Sequence, residues 1–147
     1  MSRPSAVTLN HRLSAQLRTL WASTWHMHNL ARGPLADQLV RSVVEQELLT
    51  LPPGTIPGTV RPPADFMHPA IPGYTIALTH NTLELCASLA RVFRITTNAR
   101  GTPKVVTGAM VARWALKRGL DALEKTVARD ARYQALCEPC PDDADLS

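Results

Sequence analysis

Through residues 107–125 (TGAMVARWALKRGLDALEK), Val111, Ala115, Leu116, Leu120 and Leu123 recur three to five positions apart, which sets them along one face of an α-helix. A fainter copy lies 72 residues earlier, where Leu39, Val43, Val44, Leu48 and Leu51 take the apolar places and Arg41 stands where Arg113 stands. Upstream of each helix is a short run alternating apolar and polar, AVTLNH at 6–11 and TIALTH at 75–80, related by a shift of 69. Period-two alternation predicts a strand with one buried face, so Val7, Leu9, Ile76 and Leu78 point inward. Between strand and second helix each half holds another amphipathic segment: Leu13, Leu17, Leu20 and Trp21 in the first, Leu85, Cys86, Leu89, Val92 and Phe93 in the second. Each half reads strand, helix, turn, helix.

The punctuation fits. Asn10 is placed to cap a first helix running to about Met27, and Pro34 suits the first turn of the next, which Pro52 and Pro53 stop. Residues 52–73 hold seven of the chain's 12 prolines and three of its seven glycines, a density that neither a helix nor a central strand tolerates. They form an extended connector, whose Ile56, Val60, Phe66, Met67 and Ile71 are expected to lie on the body of the protein. After the second strand a helix is expected from about Asn81 to Thr96, then the turn TNARGTPKVV. Thr107 caps the last helix, which continues to about Leu136. The chain thus divides into a first half (1–51), the connector (52–73), a second half (74–136) and an acidic tail (137–147). Each half alone is near the size at which a single core becomes marginal, so the halves are expected to share one.

At this point the chain resembles the ribbon-helix-helix superfamily of DNA-binding proteins, the fold of the Arc, MetJ and CopG repressors. Thr107, Val111, Arg113, Ala115, Leu116, Gly119 and Leu120 match the pattern of that family's second helix. In the first half Leu39, Arg41, Val43 and Val44 match, while Leu35 stands where the family places a hydroxyl cap. The resemblance implies a mostly α protein with a two-stranded antiparallel β-ribbon: two ribbon-helix-helix halves fused in one chain, where the family normally uses two identical subunits.

It also implies the function. Such a ribbon enters the major groove of double-stranded DNA, and the side chains alternating with the buried ones, Ala6, Thr8 and Asn10 with Thr75, Ala77 and Thr79, are the expected base readers. Phosphates would be met by Arg3, by Arg32, Gly33 and Leu35 at the start of one second helix, and by Arg100, Lys104, Thr107 and Gly108 at the start of the other. Because the two strands differ, the target need not be palindromic. The expected settings are transcriptional repression, or accessory DNA binding in plasmid or phage maintenance and transfer such as conjugation. The fused unit is expected to be a monomer that can associate further on DNA.

Charge agrees without deciding. The formal net charge is +4, residues 74–135 hold ten basic groups against four acids, and the tail from Leu136 holds four acids and no base. A positive body favours a polyanion. No apolar run approaches the ~18 residues that would span a bilayer, and the N-terminus lacks a secretory signal, so a cytoplasmic location is expected. Catalysis finds no support, because no glycine-rich phosphate loop, serine elbow or H-E-x-x-H occurs. Cys137 and Cys140 form a C-x-x-C pair without a second pair, so neither metal nor cofactor is expected. The rival reading is a protein-binding module, an antitoxin or assembly factor, using the face that carries Met110 and Trp114. The plainer reading of that face is a surface covered by the connector or the long last helix. Arg41 and Arg113 have a plain reading as well, as helix-surface arginines in local ion pairs.

Overall fold

The computed structural model describes residues 5–63, 74–97 and 99–137, with side chains except those of Ser5 and 131–137. Arg3, Phe66, Met67, Ile71 and Cys140 lie outside the described residues. Strand β1 (Ser5–Leu9) is followed by helices α1 (His11–Ser23), α2 (Trp25–His28) and α3 (Arg32–Thr50). Then come strand β2 (Tyr74–Leu78), helix α4 (His80–Val92), short strands β3 (Thr96–Thr97) and β4 (Pro103–Lys104), and helix α5 (Gly108–Cys137).

The two alternating segments meet. β1 and β2 pair antiparallel in the register Ser5↔Leu78, Ala6↔Ala77, Val7↔Ile76, Thr8↔Thr75 and Leu9↔Tyr74. Directly opposed residues share a face, so Val7 and Ile76 point together into the core and the pairs on either side of them point out. An isolated two-stranded ribbon is marginal in water, and burial of its inner face is what holds it. Val7, Leu9, Ile76 and Leu78 join one core with Leu13, Leu17 and Leu20 of α1, Val40 and Val44 of α3, Cys86 and Leu89 of α4, and Val111, Leu116 and Leu120 of α5. Both halves of the chain build that core.

α3 and α5 cross closely at Gly119. A Cβ there would lie 3.0 Å from Cβ of Leu39, so glycine sets the approach of the two helices. α3 also packs on β2 and α5 on β1, which ties the ribbon to both long helices.

Several expectations are corrected. The first helix does not run unbroken to Met27: it stops at Ser23, where the buried Thr24 turns its hydroxyl back onto the carbonyl of Leu20. α2 then ends at Asn29 in the left-handed conformation (φ 54°), and Trp21 Nε1 donates to the carbonyl of Leu30 at 2.7 Å. The helix expected to reach Thr96 stops at Val92, because the connector takes over the next backbone groups. Val60 N–H donates to the Val92 carbonyl at 2.9 Å and Arg94 N–H to the Val60 carbonyl at 2.8 Å. The following residues form the hairpin β3–β4, where a plain turn was expected; Gly101 carries its left-handed position at φ 78°. Ile56, expected to lie on the body, is exposed. Among the described residues no helix is long and apolar enough to cross a membrane.

Candidate nucleic-acid interface

The outward face of the ribbon is small and uncharged. Ala6, Thr75 and Ala77 are exposed and Thr8 is half-buried. The register makes its two ends different: Ala6 faces Ala77 at one end and Thr8 faces Thr75 at the other. Val7 and Ile76 between them point inward, so the outer surface is a methyl-bearing end and a hydroxyl-bearing end.

Asn10 and Thr79 lie one residue beyond the strands, and helix starts claim their side chains. Asn10 Oδ1 accepts from Leu13 N–H at 2.8 Å and caps α1. Thr79 Oγ1 accepts from Thr82 N–H at 3.4 Å at the start of α4. A side-chain oxygen at the N-cap satisfies an amide hydrogen that no carbonyl can reach.

Thr79 is also held by a residue the sequence reading passed over. Asp37 on α3, buried, accepts from Thr79 N–H at 2.8 Å and from its hydroxyl at 3.1 Å, while Arg41 Nη2 lies 3.5 Å from its other oxygen. Arg41 Nε also donates to Thr82 Oγ1 at 3.4 Å. The plain reading of Arg41 as a local ion-pair arginine holds. Asp37 thereby ties α3 to the junction of β2 and α4. Replacing it with alanine leaves the Thr79 amide and hydroxyl and the Arg41 guanidinium short of a partner, and should cost about 1–3 kcal/mol of stability. Urea unfolding of Asp37→Ala checks this; an unchanged midpoint would remove Asp37 from the framework.

The start of α3 lies beside the ribbon, whereas Gly108 at the start of α5 lies against Ala87 of α4. At α3, the capping residue Ala31 makes no side-chain bond, so the amides of Arg32 and Gly33 open the helix. A Cβ on Gly33 would lie 3.9 Å from the carbonyl oxygen of Ala77, which puts this helix start beside the outward strand residue. Arg32 sits over the ring of Trp21, its guanidinium carbon 5.6 Å from the centroid. Leu35 does not belong with them: its amide donates to the Ala31 carbonyl at 3.0 Å and its side chain is buried. At α5, Thr107 Oγ1 accepts from Met110 N–H at 3.2 Å, so that hydroxyl is a cap, and the amides of Gly108 and Ala109 open the helix. Arg100 and Lys104 lie on and beside the hairpin that precedes it.

No family model, curated protein or solved structure matches the chain.

Trp114 and Met110 lie on the side of α5 that borders α1. Trp114 is only 5% exposed, with Arg118 stacked over its ring at 4.7 Å. The neighbour across from this face is α1, with Asn10, Leu13 and Gln16 on the opposite wall of a shared groove. Gln16 bridges the two helices, its amide donating to Asp121 at 2.8 Å and to Glu124 at 2.9 Å.

Sequence reasoning also passed over Tyr74. It lies opposite Leu9 at the end of the ribbon, half exposed, with Arg18 5.2 Å from its ring centroid and His11 edge-on at 6.4 Å. Tyrosine is common in strands, and period-two alternation alone gives no sign that α1 covers it.

Cys86 is fully buried, and burial together with the charge of Asp37 pushes its thiol up to about 12. A thiol so far from ionisation is a poor nucleophile and a poor metal ligand. Among the described residues no group of three or more His, Cys, Asp or Glu side chains is placed to hold a metal ion.

Proposed function

We propose that the protein is a non-enzymatic, cytoplasmic double-stranded DNA-binding protein, a single-chain ribbon-helix-helix pseudodimer that lays the β1–β2 ribbon into the major groove. The observation that carries this reading is the antiparallel pairing of two segments 69 residues apart, with their apolar side chains in the core and four small side chains facing out. A two-stranded ribbon has the width the major groove admits. The base-reading set is Ala6, Thr8, Thr75 and Ala77; Asn10 and Thr79 serve the helices that carry the ribbon.

Phosphates are met by the open amides of Arg32 and Gly33 and of Gly108 and Ala109, where the helix dipole favours an anion. Arg100 and Lys104 add charge ahead of the second of these. The ribbon's ends favour unlike bases. The Ala6–Ala77 end offers methyl groups to thymine methyls, and the Thr8–Thr75 end offers hydroxyls that donate or accept at base edges. The preferred site is therefore asymmetric, and the long polar side chains that discriminate most strongly are missing, so selectivity is modest. Repression or accessory binding in plasmid or phage DNA maintenance and transfer are the roles such binding serves.

The test is a mobility shift with duplex DNA over a salt series, on protein whose mass in solution is also measured. Binding by a monomer should weaken steeply with salt, by roughly 10³ or more between 50 and 200 mM if six or more phosphates are engaged. Sequences selected from a random duplex library should lack an inverted repeat. A shift indifferent to salt, or selection of a perfect palindrome by one monomer, would sink the reading.

A further inference from the structure

A groove of about 580 Å³ runs between α1 and α5. It follows one face of α5 from Met110 to Lys125, a length of ~22 Å at 1.5 Å per residue. Leu13, Met110 and Trp114 line it with apolar surface, and Arg12, Arg113, Lys117 and Lys125 bring positive charge to it. Its lining acid is Asp121, which lies 2.9 Å from Lys117 Nζ and also accepts from Gln16. Partial burial acts to raise the Asp121 carboxyl, but hydrogen bonds from Gln16 and Lys117 and the charges of Lys117 and Lys125 outweigh it and hold the group below its usual value. Asp121 is thus ionised and already engaged. Arg113 differs: it is half-buried, burial pulls its pKa below the ordinary value, and among the described residues it has no ion-pair partner. A desolvated guanidinium gains most from an anion brought to it.

The chain contains an internal control. Shifting α5 back by 72 residues and α1 forward by 69 leads to a second groove, between α3 and α4, lined by Arg41, Glu45, His80, Asn81, Glu84 and Leu85. There acids outnumber bases. Arg41 is paired with Asp37, and His80 Nε2 lies 3.2 Å from Glu84. At the first groove Ala109 stands in the place of Asp37, Lys117 in that of Glu45, and Ala15 in that of Glu84. The two acids that line one groove, and the buried Asp37 behind it, are replaced by a cation and two neutral residues in the other.

We propose that the α1–α5 groove binds an acidic peptide segment of a partner protein. Its length matches an extended or helical peptide, the spaced cations match carboxylates, and the partly exposed Met110, backed by the buried Leu13 and Trp114, takes an aliphatic or aromatic side chain between them. The site lies on the α1–α5 face and does not depend on the ribbon reading.

Fluorescence anisotropy with a fluorescein-labelled peptide of repeated Glu-Glu-Leu tests it. The full chain should bind this peptide and not the Lys-Lys-Leu counterpart. Lys117→Gln with Lys125→Gln, both exposed, should weaken binding by on the order of tenfold, since two of the matched charges are removed. Arg91→Gln with Arg94→Gln, exposed at the far end of α4, removes the same net charge and should change it less than about twofold. An Ala6→Glu and Thr75→Glu chain should bind the peptide as the parent does, whatever becomes of duplex binding. Equal weakening by the two Gln pairs, or no binding by the parent chain, overturns the proposal. So does tighter binding of a single-stranded oligonucleotide that Lys117→Gln with Lys125→Gln abolishes, which would make the occupant a nucleic-acid strand.

Discussion

Ala6→Glu combined with Thr75→Glu is expected to abolish duplex DNA binding while leaving the fold intact. Both side chains are exposed on the outer ribbon face and neither is claimed by a cap or a core contact. Substitution at such surface positions usually moves stability by no more than ~0.5 kcal/mol. A carboxylate turned toward a groove walled by phosphates is another matter, because juxtaposed like charges in an interface cost several kcal/mol. Two of them should therefore reduce affinity by on the order of 100-fold or more, since each 1.4 kcal/mol is a factor of ten. The measurement is a mobility shift at fixed low salt, with circular dichroism and urea unfolding as the control for folding. Retained binding with an unchanged fold would place any DNA contact away from the ribbon. Asn10 and Thr79, read from the sequence as base readers, are unsuitable for this experiment. Changing either removes a helix cap worth ~1 kcal/mol, so lost binding and lost stability would be confounded.

Leu78→Ala carries the largest expected effect on stability. Leu78 is fully buried on the inner face of the ribbon, where β2 meets the common core. Truncation to alanine removes the transfer energy of its methyl and methylene groups and leaves a cavity, a loss of about 2–5 kcal/mol. Leu9→Ala, at an equally buried position on the other strand, should fall in the same range. Leu49→Ala is the contrast: that side chain is 81% exposed on α3, so its removal should cost less than ~0.5 kcal/mol. Urea midpoints of the three variants give the comparison. Since the ribbon keeps its shape only by burying this face, both core variants should also lose DNA binding at temperatures where they begin to unfold. A Leu78→Ala chain as stable as Leu49→Ala would mean that the ribbon is not seated on the core as described.

The elements that local pattern could reveal were those whose physics is local. Alternation of Val7 and Leu9, and of Ile76 and Leu78, marked two strands because a strand turns successive side chains to opposite faces, and both pairs are buried. Asn10 and Thr107 were legible as caps because a short polar side chain bonds amides within three residues of itself. The long last helix was legible from its apolar stripe, and Val111, Ala115, Leu116 and Leu120 on it are fully buried. The break at Thr24 was not legible, because a threonine inside an amphipathic run looks like any other polar position. The Val92 end of α4 was not legible either, since it is set by hydrogen bonds from Val60, some 30 residues away in the chain.

The sequence by itself determined which segments become the ribbon strands, which become the long helices, and which of their faces are apolar. All of these follow from side-chain periodicity and from bonds between near neighbours. Only the tertiary structure decided the register that opposes Ala6 to Ala77 and Thr8 to Thr75, and so the unlike ends of the outer face. It alone placed Asp37 against Thr79, 42 residues away, and gathered the cations of α1 and α5 along one groove while Asp37 paired with Arg41 at the other. Charge and hydrogen-bonding capacity are written in the chain, but which charges meet depends on how two helices distant in sequence are laid side by side.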